Sequence, residues 1–302
     1  MNGARVTASI VIAAYRSGDT LPLVLEALAP QVAGRLDREV IVVDSSADGQ
    51  TRAIARRWPW AEVISLPGRA WPGAARNAGV LYAHGELLAF LDADTVPVHD
   101  WIDQLERAVQ PCVDMVGGAI VNGRPRSAPA VAAHLLRLIE WTPPRRDALL
   151  HAAGGNLLVR RSAFEAAGGF PIDMACAEDT LLTLPAGRRG RLAFAPAAVV
   201  YHVKHYSVRR LLAAEYRAGR GHYELCLRCD FPRADAVRRG RLGLALIFRV
   251  NGLIRRLVHQ RRELGRAVVL SPLISLGLLA WLLGLAAAAG RSRHRALRPS
   301  AV

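Results

Sequence analysis

Leu87-Leu88-Ala89-Phe90-Leu91-Asp92-Ala93-Asp94, followed by Thr95-Val96-Pro97, is the stretch on which the fold class turns. A short apolar run that stops at acids reads as a buried strand whose carboxyl end leaves the sheet. In extended backbone, residues two apart face the same side, so Asp92 and Asp94 are able to address one cation. Hard oxygen ligands of this type suit Mg²⁺ or Mn²⁺, which keep several waters and take substrate phosphates as further ligands. An Asp-x-Asp in isolation is equally the mark of a solvated turn, so its neighbours along the chain have to decide.

Similar apolar runs occur at residues 9–14, 39–44, 61–66 and 114–121, and helix-like stretches at 20–32, 51–58, 74–83 and 101–109. Strands alternating with helices predict an α/β architecture with a mostly parallel, doubly wound sheet. Ligands of such sheets bind beyond the carboxyl ends of the strands. Ala13-Ala14-Tyr15, Asp44-Ser45-Ser46 and Asp92-Ala93-Asp94 all fall at such ends, so three polar termini converge on one crevice.

The chain has 302 residues and a net charge of +15, and the charge is uneven. Residues 1–205 are close to neutral, whereas residues 206–302 carry 19 arginines against 5 acids. Residues 267–289 contain no charged side chain and are long enough, as a helix, to cross a hydrocarbon core of roughly 30 Å. Pro272, Ser271 and Ser275 equally suit a re-entrant or interfacial segment, and a buried helix of a soluble bundle remains an alternative. Arginines flank both sides, so the positive-inside rule orients the segment only weakly. A basic, apolar C-terminal third points to an anionic membrane surface rather than nucleic acid, whose sequence signatures are missing. Residues 9–14 lack the pattern of a secretory signal and lead into a turn. Cys112, Cys176, Cys226 and Cys229 are too few and too irregular for a disulfide scaffold, which predicts a reducing compartment. Cys226 and Cys229 have metal-site spacing, but no second pair completes a zinc site, so ordinary thiols are expected.

Six segments in order carry a family resemblance: Ser9-Ile10-Val11-Ile12-Ala13-Ala14-Tyr15, Glu39-Val40-Ile41-Val42-Val43-Asp44, Pro72-Gly73-Ala74-Ala75-Arg76-Asn77-Ala78-Gly79, Leu91-Asp92-Ala93-Asp94, Gly154-Gly155-Asn156-Leu157 with Gly168-Gly169-Phe170, and Glu178-Asp179. Together, over roughly residues 9–221, they resemble the family 2 glycosyltransferases. The resemblance implies a GT-A fold, a nucleotide-sugar donor, a Mn²⁺ or Mg²⁺ cofactor and inversion at the anomeric carbon. It implies that Ala14 and Tyr15 line the nucleotide pocket, that Asp44 contacts the base or ribose, and that Arg76 approaches the nucleotide. Asp94 and Asp92 are then the metal and donor carboxylates, with Asp94 the more direct ligand, and His202 corresponds to a histidine able to reach the metal or diphosphate. His205 has a weaker claim. Glu178 and Asp179 match the catalytic acid pair, Asp179 being the general base, and Gly154, Gly155 and Asn156 lie at the acceptor side. Each has a plainer reading as well: a turn cap for Asp44, a surface position for Arg76, helix N-terminal charges for Glu178 and Asp179.

One segment departs from the processive branch of that family. Its Gln-x-x-Arg-Trp motif is absent, with Tyr216-Arg217-Ala218-Gly219-Arg220-Gly221 in the approximate place, so transfer of a single sugar is expected. The expected organisation is a catalytic domain over 1–205, a basic helical membrane-proximal segment over 206–266, a transmembrane or re-entrant helix over 267–290 and a basic tail over 291–302. The expected protein is a cytoplasm-facing transferase at the inner membrane, acting on a membrane-proximal acceptor that includes the lipid-linked class. Two readings compete. A noncatalytic membrane-associated scaffold would bind nucleotide sugars without turning them over. An NAD-dependent oxidoreductase would need Gly-x-Gly-x-x-Gly after the first strand, where residues 13–19 contain only Gly18.

Overall fold

The computed structural model describes residues 6–47, 49–144, 148–231 and 234–296, with side chains described as far as Arg291. The basic tail expected over 291–302 therefore falls almost wholly outside the described side chains. The elements are β1 (Ala8–Ala14), α1 (Leu21–Val32), β2 (Arg38–Asp44), α2 (Gln50–Ala55), β3 (Ala61–Ser65), α3 (Pro72–Val80), β4 (Leu87–Asp92) and β5 (Thr95–Pro97). They continue with α4 (Trp101–Arg107), β6 (Met115–Asn122), α5 (Ala128–Arg137), β7 (Asn156–Arg160), α6 (Arg161–Ala166), α7 (Glu178–Arg188) and β8 (Leu192–His202). The C-terminal third is helical: α8 (Val208–Arg228), α9 (Ala234–Arg238), α10 (Leu242–Val258), α11 (Arg261–Val269) and α12 (Ser271–Ala296).

These elements form two compact units. Among the described residues, one takes those of Met1–Gly123, Trp141–Asp173 and Glu178–Lys204, the other those of Arg124–Glu140, Met174–Ala177 and His205–Val302. The first holds a single eight-stranded sheet in the order β3-β2-β1-β4-β7-β6-β8-β5. Strands β3, β2, β1 and β4 are mutually parallel, as expected from the alternating pattern. Antiparallel pairing of β7 with both β4 and β6, and of β5 with β8, makes the sheet mixed. The near-continuous apolar character of β1, β2 and β4 follows from coverage on both faces, and Ile10, Ile12, Ile41, Leu88 and Phe90 are fully buried.

The joint between the parallel and antiparallel halves is fastened by Asn156 at the start of β7, which is 1% exposed. Its Oδ1 accepts from Trp101 Nε1 at 2.8 Å, and its Nδ2 donates to Ala119 O at 2.8 Å and Ala198 O at 2.9 Å. One amide thus ties β7 to α4, β6 and β8.

The second unit is a helical bundle centred on α8 and α12. They approach closely because each presents a glycine at the crossing: a Cβ on Gly219 would lie 1.9 Å from Trp281 O, and one on Gly284 2.0 Å from Tyr216 O. Glu215, fully buried on α8, accepts from Arg249 Nη2 on α10 at 2.6 Å, and that guanidinium lies 4.7 Å from the Trp281 ring centroid. Cys226 is buried in the same bundle, with its Sγ 3.5 Å from His222 Nε2. Burial, reinforced by Cys229, pushes the Cys226 thiol up to about 12, so it remains protonated and inert at neutral pH.

The amide at position 156 supplies a stability test. Asn156→Ala leaves the Trp101 N–H and two carbonyls unpaired inside the sheet, and should lower the unfolding free energy by roughly 2–4 kcal/mol. Urea denaturation reads this as a lower midpoint at unchanged slope.

Candidate active site

Strand register sets the floor of the crevice. Ala14 pairs with Asp44 and Ala13 with Asp92, so the carboxyl ends of β1, β2 and β4 lie side by side. Asp44 is 1% exposed, and its Oδ1 accepts from the Ser46 amide at 2.8 Å. Its carboxylate caps the turn after β2 through one oxygen. Beyond β1 the chain turns sharply: Arg16 has φ of 50°, and its amide donates to Ser46 Oγ at 2.7 Å. That turn leaves Tyr15 at the surface, where the Arg69 guanidinium lies 5.1 Å from its ring centroid and 4.9 Å from that of Trp71. Tyr15 and Trp71 are each 38% exposed, so the guanidinium is held between two aromatic rings that stay accessible.

Arg76 on α3 is 3% exposed and bridges two acids. Its Nη2 donates to Asp92 Oδ1 at 2.7 Å and its Nη1 to Glu178 Oε1 at 2.7 Å. The guanidinium also lies 5.2 Å from the Phe170 ring centroid. Next to it, Asn77 fastens α3 to the loop after Gly169, its Nδ2 donating to Phe170 O and its Oδ1 accepting from Phe170 N. The glycines at 154 and 155 have a steric cause. A Cβ at Gly155 would lie 2.4 Å from Asp92 Oδ2, and one at Gly154 2.9 Å from Arg76 Nη1. Any larger residue there would push the ion pair apart.

Glu178 and Asp179 open α7, preceded by Ala177 in the left-handed region at φ 68°. That conformation is costly for alanine and persists only where its surroundings impose it. Burial, reinforced by the adjacent Asp179, pushes the Glu178 carboxyl up to about 7, working against the attraction of Arg76. Asp92, with Glu178 and Asp179, holds the Arg76 guanidinium firmly in its charged form despite its own burial. Asp179 points elsewhere: its Oδ2 accepts from the Gly154 amide at 2.9 Å and its Oδ1 from the Thr180 amide at 2.7 Å. Two backbone donors thereby orient a half-buried carboxylate beside the glycine turn.

Asp94 lies at the junction of β5 and β8. Thr95 pairs with His202, and the Val203 amide donates to Asp94 O at 2.8 Å. Lys204 Nζ donates to Asp94 Oδ2 at 2.7 Å, and His202 Nε2 lies 3.7 Å from Asp94 Oδ1. Burial alone would raise the Asp94 carboxyl, but Lys204 and His202 bring it down to about 2. Among the described residues no cluster of three or more His, Cys, Asp or Glu is arranged to hold a metal ion. The donor set does fit a cation that shares its coordination with a ligand. Asp94 and His202 would offer one oxygen and one nitrogen to Mg²⁺ or Mn²⁺, leaving the remaining positions to a diphosphate ligand and water.

The fold thus brings Ala14, Tyr15, Asp44, Arg76, Asp92, Gly154, Gly155, Glu178 and Asp179 to one end of the sheet. It turns the Asn156 side chain into the sheet interior, and the Arg76 guanidinium donates to Asp92 and Glu178 through Nη2 and Nη1 while its buried Nε has no partner among the described residues. His205 falls in the helical unit. Lys204, Arg69 and Trp71 were not singled out from sequence. Arg69 and Trp71 follow the carboxyl end of β3, the position from which ligand-binding residues of such sheets are drawn, and that placement was the available signal. Lys204 is the single lysine of the chain, next to a candidate histidine.

Two stability outcomes follow from this network. Arg76→Leu leaves two carboxylates unpaired and should cost roughly 3–5 kcal/mol of unfolding free energy. Glu178 binds its proton more tightly in the folded chain than in the unfolded one. Its contribution to stability is therefore complete below the unfolded value of 4.5 and is lost as pH rises through about 7. Over that window the parent should lose stability relative to Glu178→Gln, read as converging or crossing urea midpoints.

Residues 9–168 match the model of glycosyl transferase family 2. The chain is 27% identical over 300 residues to glycosyltransferase AglE of Haloferax volcanii, covering 94% of each chain. Among solved structures, the mannosyltransferase PcManGT of Pyrobaculum calidifontis, in complex with GDP-Man and Mn²⁺, superposes with a TM-score of 0.63 at 20% identity. The match covers 96% of this chain and 88% of that one. Glucosyl-3-phosphoglycerate synthase of Mycobacterium tuberculosis, in complex with Mn²⁺, UDP-glucose and phosphoglyceric acid, superposes with a TM-score of 0.53 at 23% identity, covering 75% and 81%. With its mixed eight-stranded sheet and this family match over more than half its length, the chain belongs to glycosyl transferase family 2 and is a glycosyltransferase of GT-A fold.

Proposed function

We propose that the chain moves one sugar from a nucleotide-sugar donor to a hydroxyl of a membrane-proximal acceptor, a lipid-linked one included, with inversion at the anomeric carbon. The observation that carries this reading is the position of Asp179. Its carboxylate is oriented by the Gly154 and Thr180 amides, and the neighbouring Glu178 is joined through Arg76 to Asp92 at the end of β4. A base and a donor carboxylate are thereby held in one rigid frame.

In this reading the nucleotide lies across the ends of β1 and β2. Asp44 receives ribose or base hydrogen bonds through Oδ2, and Tyr15, Arg69 and Trp71 offer flat surfaces to the base. Asp92 faces the donor sugar. Asp94 and His202 would hold a divalent cation, Mn²⁺ or Mg²⁺, which when bound would supply positive charge to the leaving diphosphate. Lys204, paired with Asp94, adds a positive charge at the same edge. Asp179 accepts the proton of the acceptor hydroxyl as that oxygen bonds to the anomeric carbon. The bond from that carbon to the diphosphate oxygen breaks, and the nucleoside diphosphate departs with the electron pair. One displacement needs one base and no covalent intermediate. Gly154, whose amide donates to Asp179, lies on the acceptor side in this reading. The nucleotide sugars and Mn²⁺ in the PcManGT and glucosyl-3-phosphoglycerate synthase complexes support the donor and cofactor classes. The length and apolarity of α12 support association with a membrane, which this reading takes to be the inner membrane reached from the cytoplasm.

The test uses purified protein, a panel of UDP, GDP and dTDP sugars, and host membrane extract, with nucleoside diphosphate release and new glycosylated species followed by mass spectrometry. Asp179→Asn should lower transfer by about 10²–10⁴-fold with donor binding retained, the range expected for loss of a general base. Asp94→Asn should abolish the enhancement of donor binding by Mn²⁺. Equal transfer by Asp179→Asn and the parent would refute this mechanism, and donor binding without any product would favour a noncatalytic scaffold.

A further inference from the structure

The helical unit carries apolar side chains on two sides of the same helices. On α10, Ala245, Leu253 and Leu257 are buried, and Arg249 turns inward to Glu215. The opposite face shows Leu244, Ile247, Ile254 and Val258, spaced as one helical stripe and all exposed, Val258 by 59%. Helix α11 exposes Leu264, Val268 at 66% and Val269 at 77%, with Arg261 and Arg262 exposed on the same short helix. Helix α12 buries Ile274, Trp281 and Leu285 and exposes Leu276, Leu279 and Leu283, again a single stripe. A soluble monomer rarely leaves three neighbouring helices with apolar outer faces.

Charge indicates what covers these faces. From residue 242 to 291 the sequence has one acid, Glu263, and it is paired with Arg266 at 2.7 Å. Arg249 and Arg256 are engaged by Glu215 and Glu140. Arg255, beside the α10 stripe, and Arg261 and Arg262 are exposed and lack a carboxylate partner among the described residues. Apolar stripes bordered by unpaired arginines and no free acid complement an anionic lipid surface, in which the stripes enter the acyl boundary and the guanidinium groups meet phosphates.

The packing of α8 indicates how deep the unit goes. By length and composition α12 is able to cross a membrane. It is locked to α8 by the glycine crossing at 219 and 284, however, and α8 exposes Arg209, Arg210, Arg217, Arg220 and Arg228 along its length. A spanning α12 would carry this helix into hydrocarbon, where arginine is strongly disfavoured.

We propose that the helical unit lies in the plane of an anionic membrane surface, inserting the outer stripes of α10, α11 and α12, with Arg255, Arg261 and Arg262 binding lipid phosphates. This deepens the membrane-proximal reading above, but it is tested without donor or acceptor, so either can fail alone.

The experiment is co-sedimentation of the full chain with vesicles of phosphatidylcholine, with and without phosphatidylglycerol, at physiological ionic strength. Anionic vesicles should bind on the order of a hundredfold more tightly, the effect of three arginines near the surface. Ile254→Glu with Val258→Glu, and separately Arg261→Glu with Arg262→Glu, should each lower that binding at least about tenfold, with unchanged helical circular dichroism and an unchanged urea midpoint. Val268→Ser with Val269→Ser is the milder second apolar variant and should weaken binding in the same direction. An alkaline carbonate wash should release the bound protein. Equal binding to both vesicle types, or variants that bind as the parent does, would overturn the proposal. So would resistance to carbonate, which would mean that α12 spans. A solution dimer that Ile254→Glu with Val258→Glu dissociates while vesicle binding persists would assign the stripes to a second copy of the chain, and would overturn it as well.

Discussion

The sheet-bearing unit is organised around one buried guanidinium. Arg76 joins α3 to the end of the next strand, β4, through Asp92 and to the start of the distant α7 through Glu178. A buried arginine with one acid would be a weak source of stability, because desolvation offsets most of the attraction. With two acids and an aromatic ring beneath it, the group gains geometric specificity: it sets where Asp92 points and where α7 begins. The glycines at 154 and 155 are consequences of this pair, since each lacks a Cβ at the point where Asp92 or Arg76 occupies the space.

The same frame separates two neighbouring carboxylates. Glu178 is turned inward to Arg76, where burial raises its carboxyl, while Asp179 is turned to backbone amides in a half-buried position. Adjacent acids in one sequence dipeptide thereby occupy different environments, the arrangement by which proteins give chemically identical groups different tasks. Asp92 and Asp94 diverge likewise. Arginine engages one across the sheet end, and lysine and histidine engage the other from β8.

The helical unit poses a different physical problem. Its inner faces are packed through close glycine crossings and a buried Glu215–Arg249 pair, yet its outer faces remain apolar. Periodicity alone does not decide whether α12 spans a membrane, because a spanning helix and a packed one both read as a long uncharged run. The difference lies in the partner: a helix locked against an arginine-bearing neighbour is constrained by that neighbour's solvation.

Local pattern determined much of the first unit. The apolar runs that became β1, β2, β3, β4 and β6, and the polar residues at their ends, are properties of contiguous sequence, because strand burial and strand termination are local. Only the tertiary structure decided the rest. Strand β7 runs antiparallel between β4 and β6, which turns the Asn156 amide into the sheet interior. Strand β8 returns beside β5, which brings Lys204 onto Asp94 across 110 positions. The loop after β3 holds Arg69 between two rings. These pairings depend on long-range register and on which residue fills a neighbour's space, and no window of adjacent residues contains that information.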